Sequence, residues 1–429
     1  MQRTIVQVEE KVPLLTGIPL SLQHLFAMFG ASVQVPTLFK IDPAIVLLMN
    51  GIGTLIYLLL CKGKAPAFLG SSFAFLSPVF VVLGANQAQW TNNYSYALGG
   101  FIASGLVFMA VALIIWRFGS AWIKTVLPPA TMGSIVALIG LELAGVATGM
   151  AGIMPDPATG TYNLRAATVA IVTLLAVTFG SVVFRGFMAI IPVLTGIFIG
   201  YLTAIPLGLV QFNVVTQAPL IALPTMYLPK FDPTAILIIL PASLVVISEH
   251  IGHLVVTGNI VGRDLTKDPG LHRSLMGDGI STVLSGCCGS VPTTTYGENI
   301  GVLAITRVYS VWVIGGAAVL SIGLAFIGKL SALIQSIPTS VMGGVCMLLF
   351  GVIAASGVRM LVEAKVDYSK PANLCLTAIV LIVGISGVAV KIGDVQLKGM
   401  ALATVVGMLL SLVFHLLAQW KLMNEQTDL

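Results

Sequence analysis

Ser248-Glu-His-Ile-Gly-His253 sets a carboxylate and two imidazoles in the middle of an apolar segment. No charged residue occurs from Ala235 to Ile247 before it, or from Leu254 to Val261 after it. A run of that length and composition reads as a membrane span. A charge at the bilayer centre costs roughly 2.5–3.5 kcal/mol on insertion scales, so an intramembrane carboxylate marks a functional site. Glu249 and His253 are four residues apart and share one helix face, whereas His250 is turned about 100° away.

The rest of the chain agrees with a membrane setting. Of its 429 residues 57% are hydrophobic and 9% charged, and the mean hydropathy is +1.02. Soluble domains carry about 25% charged residues. The reading is an all-α polytopic membrane protein embedded in a lipid bilayer. The net charge of +5 sits in loops and forms no basic stripe, which excludes a nucleic-acid partner. Five cysteines (Cys61, Cys287, Cys288, Cys346, Cys375) lie in or beside apolar runs and offer neither a disulfide framework nor a metal-ligand spacing. The segment Met1 to Leu15, with Arg3, Glu9, Glu10 and Lys11, lacks the apolar core of a signal peptide.

Fourteen apolar stretches can be marked out. They run roughly over 15–38, 43–61, 67–85, 96–116, 125–147, 166–183, 187–209, 234–258, 273–289, 293–309, 310–328, 335–355, 372–390 and 398–419. The third and tenth contain Leu69-Gly-Ser-Ser-Phe-Ala-Phe75 and Gly289-Ser-Val-Pro-Thr-Thr-Thr-Tyr-Gly-Glu-Asn299, too rich in Gly, Ser, Thr and Pro for plain helices. Non-helical backbone survives at membrane depth only where it is buried in protein or lines a cavity, and paired broken segments mark a transporter's binding site. With the N-terminus inside, only Lys40, Arg165, Lys230, Lys329, Lys391 and Lys398 of the 21 Lys and Arg fall outside. That bias places both termini in the cytoplasm. Pro128-Pro-Ala-Thr-Met-Gly133 recurs 210 residues later as Pro338-Thr-Ser-Val-Met-Gly343. Two halves of seven spans are inverted relative to one another, with a site between them near the midplane.

Few ionisable residues lie away from span ends: His24, Glu142, Glu249, His250, His253 and Glu298. Two carboxylates suit a neutral planar ligand with two N–H donors. Imidazole and the backbone N–H groups of a broken span would meet its carbonyls, helped by the dipole of a half-helix N-terminus. Phe73 and Tyr296 offer apolar faces for a flat ring. This pattern is that of a nucleobase site. His250 reads as a packed or hydrogen-bonded structural histidine, Glu142 as structural, and Asp278 as a group that satisfies freed backbone. Arg307 reads as a cytoplasmic anchor.

Glu298-Asn299-Ile300-Gly301, followed by Thr306-Arg307, resembles the signature of the nucleobase–ascorbate transporter (nucleobase:cation symporter-2) family. Gln23-His24 is similar to its Gln-His motif, and Glu249 to His253 to its eighth span. The resemblance covers about Pro13 to Trp420. It implies fourteen spans as two inverted seven-span repeats, with short antiparallel strands in spans 3 and 10. It implies a core domain, residues 1–119 and 231–329, and a gate domain, residues 120–230 and 330–429. Members similar to this chain form homodimers through the gate domain. Carried over by position, Glu249 and Glu298 would bind uracil N–H groups. Phe73 and Gly297 would offer backbone N–H groups, Phe73 and Tyr296 would flank the ring, and His253 would approach a carbonyl. His24 and Asn299 would support the site. A Glu opening the signature resembles the uracil-type members. Phe350 stands where Tyr is usual, Thr293 is unusual, and the outer loop Gly84 to Ser95 looks long.

The resemblance implies uracil import by proton symport across a bacterial inner membrane, with the proton as coupling ion and no metal or other cofactor. Desolvation disfavours the charged form of a carboxylate or an imidazole, so Glu249 is the expected proton carrier, with His253 its coupled partner. Other readings keep the fold and change the substrate to xanthine or another nucleobase, or to an anion. The anion is disfavoured because no Arg lies mid-span. An intramembrane metalloenzyme needs His-Glu-x-x-His, and here Glu precedes both histidines. A continuous channel fits discrete groups at one depth less well than an occluding site does.

Overall fold

Proline and aspartate set where the helices begin. Asp42 accepts from the backbone N–H of Ala44 at 2.9 Å and starts helix α2 ahead of Pro43; Asp232 does the same for Ala235 at 2.8 Å ahead of Pro233. Pro is favoured at the first helical position because the N–H it lacks would have no partner there. Pro128 and Pro338, the two ends of the sequence repeat, cap two further helices. In this computed structural model, which describes residues 5–84, 86–155, 160–392 and 395–423, labelled helices follow in order, with Ala121–Val126, Ala144–Met150, Phe212–Gln217 and Gly328–Gln335 as unlabelled shorter helices between them. The labelled ones are α1 (Leu14–Phe39), α2 (Pro43–Leu60), α3 (Leu76–Leu83), α4 (Trp90–Phe118), α5 (Pro129–Glu142), α6 (Leu164–Val183) and α7 (Pro192–Ala204). The second half holds α8 (Pro233–Val261), α9 (Leu271–Cys288), α10 (Gly297–Thr306), α11 (Val311–Ala325), α12 (Thr339–Glu363), α13 (Pro371–Ile385) and α14 (Gly399–Gln419). Short helical turns and two hairpin-like ribbons complete the chain. Arg3 lies outside the described residues.

Among the described residues eight helices are long and apolar enough to cross a bilayer, and four shorter helical segments are apolar. Helix α9 is not one of them. Its sequence, with Gly277, Asp278, Gly279, Ser281 and Thr282, is packed against protein rather than suited to lipid. Helix α4 starts at Trp90, after a helical turn at Gln87–Gln89. The stretch expected as a long loop, Gly84 to Ser95, is therefore largely helical where it is described. The reason is local: Asn86 caps the turn through Ala88, and Trp90 Nε1 and Asn93 Nδ2 donate to the carbonyls of Gly84 and Leu83.

The helices pack in two sets. One set joins α1–α4 to α8–α11, through α4 with α9, α2 with α11, α2 with α9, α4 with α8 and α1 with α11. The other joins α5–α7 to α12–α14, through α5 with α12, α6 with α7, α6 with α12, α5 with α13 and α13 with α14. Small residues let backbones approach in both, as expected where helices associate by close packing rather than by exclusion of water. Gly105 and Gly279 each lie against the other's carbonyl between α4 and α9, and Gly133 meets Gly357 between α5 and α12.

Two short strands sit inside the first set. β1 (Leu69–Ser71) pairs antiparallel with β2 (Thr293–Thr295), with Leu69 opposite Thr295, Gly70 opposite Thr294 and Ser71 opposite Thr293. They occupy the two stretches rich in Gly, Ser, Thr and Pro. The ribbon is extended by bonds from Tyr296 N to the Phe68 carbonyl and from Ser72 N to the Pro292 carbonyl, both 3.0 Å. Its edges are met by side chains of neighbouring helices. Thr54 of α2 accepts from Leu69 N at 2.9 Å, and Thr282 of α9 donates to the Thr293 carbonyl at 3.0 Å. Thr293 also shares a 2.6 Å hydroxyl contact with Ser281. A second ribbon, β3 (Ala389–Ile392) with β4 (Val395–Lys398), precedes α14 and touches α8.

Gly70 is required where it stands, because a Cβ there would run into the ring of Tyr296. At Gly301, by contrast, a Cβ meets nothing within 4 Å. Gly70→Ala is expected to destabilise the protein by about 1–3 kcal/mol through overpacking. Gly301→Ala, in a helix, is expected to be stabilising by up to about 1 kcal/mol. Thermal denaturation of the two purified variants checks the contrast; equal melting temperatures would show that the ribbon tolerates the intrusion.

Candidate functional site

The ribbon places two helix starts side by side. The chain leaves β1 into a helical turn beginning at Phe73 and leaves β2 into α10 beginning at Gly297. The first N–H groups of a helix have no partner within it, so both starts offer backbone donors. Helix α8 crosses this region, in contact with the turn at Phe73, with β2 and with α10. Its Glu249 and His253 are half-buried, and Gly297 and Glu298 are exposed.

We read that exposure as a crevice, from the run of accessible positions along both helices. Along α8 the accessible residues continue from Glu249 through Gly252 and His253 to Val256 and Asn259, whereas Val245 and Val246 on the other side of Glu249 are buried. Along α10 they continue from Glu298 through Gly301 to Ala304 and Ile305, whereas Val291 to Tyr296 are buried. Gly252, Gly301 and Gly351 all have open space where a Cβ would stand. The crevice therefore opens towards the end of the bundle that carries Arg263 and Arg307. At its closed end Phe73 meets Phe350 of α12 edge to face, with ring centroids 6.3 Å apart.

Glu249 lies within electrostatic reach of Glu298. Among the described residues neither is held by a side-chain hydrogen bond. Tyr296 lies within electrostatic reach of both, and its hydroxyl is buried without a partner. Its ring is turned onto Gly70 and only 3% of its surface is exposed, so it backs the site more than it lines the crevice. His253 points Nδ1 at Thr295 Oγ1, 3.2 Å away, and Nε2 at Gly297. His24 and Asn299 meet across α1 and α10. Asn299 Nδ2 donates to the His24 carbonyl at 3.1 Å and lies 3.3 Å from its Nδ1. They hold α10 in place from behind the crevice.

Two groups expected to be structural prove to be connectors. His250 Nδ1 lies 2.8 Å from Asp278 Oδ2, with both side chains fully buried. Asp278 satisfies side chains rather than freed backbone: Thr294 Oγ1 also donates to it, at 3.3 Å. The physical reason is that Thr54 and Thr282 already meet the ribbon's backbone, as described above. Glu142, at the end of α5, accepts from Ser77 Oγ of α3 at 2.6 Å and from Met400 N of α14 at 3.0 Å. It thus ties the two helix sets together at the end away from the opening. Gly-Asp-Gly around Asp278 was the one sequence signal for this buried pair; nothing in the sequence pointed to Ser77.

At the open end the N-terminal strand segment is fastened by Val6 N to the Arg307 carbonyl at 3.1 Å and by an ion pair of Glu9 with Arg263. The Arg263 guanidinium holds the Glu9 carboxyl below the usual carboxylate range. Arg307 itself caps α10 in the left-handed region. Among the described residues no group of three His, Cys, Asp or Glu is placed to hold a metal ion.

Comparison with known proteins places this arrangement. A family model described as a permease family matches residues 16–393. A uracil permease of Paenibacillus larvae subsp. larvae is 59% identical over 427 residues, 99% of this chain and 100% of that protein. A uracil permease of Escherichia coli K12 is 58% identical over 418 residues, covering 97% and 96%. One from Bacillus caldolyticus is 47% identical over 420 residues, covering 96% and 95%. Among solved structures, the murine Slc26a9 anion transporter in its inward-facing state superposes with a TM-score of 0.72 at 11% identity, over 95% of this chain and 69% of that one. The transmembrane domain of the cyanobacterial bicarbonate transporter BicA superposes with a TM-score of 0.58 at 13% identity, over 96% and 99%. These last two share the fold. The chain is a multi-pass membrane permease, a transporter rather than an enzyme, and it belongs to the nucleobase–ascorbate transporter (nucleobase:cation symporter-2) family.

Proposed function

We propose that the protein imports uracil across a bacterial inner membrane in symport with protons. The observation that carries the reading is the crevice itself. Two carboxylates that have no side-chain hydrogen bond among the described residues face it beside two helix starts, whose first N–H groups have no partner within the helix. Uracil alternates N–H and carbonyl groups round a flat ring, so it needs acceptors and donors in alternation. Glu249 and Glu298 supply acceptors; the N–H groups of Phe73 and Gly297 and the imidazole of His253 supply groups for carbonyls; Phe73 and Tyr296 bound the ring. The uracil permeases that are 47–59% identical support this substrate.

Fourteen crossings account for the chain if α9 and the β2–α10 segment are counted with the eight long and four shorter apolar segments. In that topology both termini are cytoplasmic and the crevice opens inward. The two helix sets act as the core domain (1–119 and 231–329) and the gate domain (120–230 and 330–429), and the gate carries the homodimer contact. Transport then needs the core to rock against the gate, exposing the site to each side in turn. A proton on Glu249 removes its repulsion with Glu298, so proton and ligand stabilise the same arrangement. Coupling follows if each binds the two end states differently. His253 is the coupled partner, and the pair titrates together.

Radiolabelled uracil uptake into proteoliposomes tests this. Wild-type protein is expected to accumulate uracil when an inward proton gradient is imposed. Weakening one hydrogen bond costs about 0.5–1.5 kcal/mol, so Glu249→Gln should weaken uracil binding roughly twofold to tenfold, and without a titratable group it should abolish gradient-driven accumulation. Retained concentrative uptake in that variant would remove Glu249 from the proton's path. Transport of another base in place of uracil would overturn the substrate.

The bond between Ser77 and Glu142 opposes opening at the outer end. In a variant whose other four cysteines are Ser, Cys346 is buried beside Gln34 across the same divide. One hydrogen bond contributes about 1 kcal/mol, so Ser77→Ala should raise its labelling by an impermeant thiol reagent added outside roughly fivefold. An unchanged labelling rate would show that this bond does not hold the outer end closed.

A further inference from the structure

We infer that Thr295 is a positioning residue that decides which nitrogen of His253 carries the proton, making this imidazole a hydrogen-bond donor towards the ligand. The inference rests on reading the crevice as a uracil site. It begins with a pair the transport cycle does not use. His250 and Asp278 are both fully buried and lie 2.8 Å apart. That contact commits His250 Nδ1 to Asp278 whichever of the two atoms carries the proton between them. Thr294 donates to the same carboxylate oxygen. His250 Nε2 lies 2.7 Å from Ser274 Oγ, which lies 2.8 Å from the Tyr57 hydroxyl. Both hydroxyls can donate or accept, so the ring is held at each nitrogen and sealed from the crevice.

Thr295 Oγ1 stands between the two histidines, 3.5 Å from His250 Nδ1 and 3.2 Å from His253 Nδ1. His250 Nδ1 is already taken by Asp278 at the shorter distance, 2.8 Å. The side-chain acceptor left for the Thr295 hydroxyl hydrogen is His253 Nδ1. A neutral imidazole that accepts at one nitrogen donates at the other. His253 therefore carries its proton on Nε2, the atom that lies 3.3 Å from where a Cβ on Gly297 would be. Two donors, His253 Nε2–H and the N–H that opens α10, then face the same part of the crevice and suit a carbonyl oxygen. The carboxylates alongside suit the N–H groups of the same ring.

The competing arrangement is specific. The backbone carbonyl of Thr295 also faces the His253 ring, and it would take a proton from Nδ1. Nε2 would then be an acceptor beside a backbone donor, and the buried Thr295 hydroxyl would lose its acceptor. Buried hydroxyls seldom go unpaired.

Nitrogen-15 magnetic resonance of histidine-labelled, ligand-free protein in bilayers separates the two, with the His253 signals identified by their loss in His253→Gln. The expected result is the Nε2–H tautomer in wild type, a mixture of tautomers in Thr295→Val, and return to Nε2–H in Thr295→Ser. An Nδ1–H ring in wild type, or an unchanged tautomer in Thr295→Val, would overturn the inference. Binding supplies the second arm, with uracil, 2-thiouracil and 4-thiouracil as probes, since sulfur accepts hydrogen bonds less well than oxygen. Thr295→Val should weaken uracil roughly fivefold to tenfold, the equivalent of one hydrogen bond. It should weaken one of the two thio analogues less, and Thr295→Ser should recover most of the loss. Equal weakening of all three would assign Thr295 a purely structural role. If wild type bound none of them, the uracil reading would fail, while the tautomer would stand or fall on its own spectrum.

Discussion

The pairing of Leu69–Ser71 with Thr293–Thr295 is the constraint on which the rest depends. Backbone polar groups at membrane depth must be satisfied by protein, since lipid offers no partners. Two extended segments from opposite halves of the chain satisfy one another, and Thr54 and Thr282 close the edges. Neither segment could stand alone in that setting. The pairing therefore locks the halves of the first helix set together and fixes where two helix starts, at Phe73 and Gly297, can be. The acceptors and donors of the site are arranged around that fixed ribbon.

The polar interior behind the ribbon is ordered by the same economy. Replacing a buried ion pair by apolar residues is often no less stable, but breaking one is costly. His250 and Asp278 hold each other, and their remaining contacts run to Ser274, Thr294 and Thr295. A residue on the ribbon, Thr295, is thus tied to groups the crevice never reaches. The site residues His253 and Asn299 are in turn held by Thr295 and by His24. Support of this kind fixes the orientation of both side chains. Glu249 and Glu298, by contrast, have no side-chain hydrogen bond among the described residues.

Contacts between the two helix sets are of a different character. They run through α8 with α14, α8 with α5 and α1 with α7, and they include Phe73 against Phe350, Ser77 against Glu142 and Gln34 against Cys346. They differ from the glycine-lined backbone contacts inside each set. Close packing resists small adjustments, so each set moves as a unit if it moves at all. Phe350 makes that position apolar, and the structure uses it for an aromatic contact with Phe73.

Composition and hydropathy sufficed for the class of protein, because a bilayer demands long apolar helices and tolerates few charges. The carboxylates and His253 were legible for the same reason: mid-span charge is costly and stands out. The two broken segments were legible from their Gly, Ser, Thr and Pro content, and the resemblance supplied the expectation of strands there. The helical turn at Gln87–Gln89 was not, since polar residues near a span end suit loop and helix alike. Nor was the partnership of His250 with Asp278, 28 positions away, or the tie from Ser77 to Glu142, because neither spacing shares a helix face. Which atom of an imidazole faces a ligand, and which face of Tyr296 is spent on Gly70, depend on groups brought together from distant parts of the chain. Local sequence determines what each segment can be in a membrane; only the packing of helices around the paired strands decides which polar groups meet.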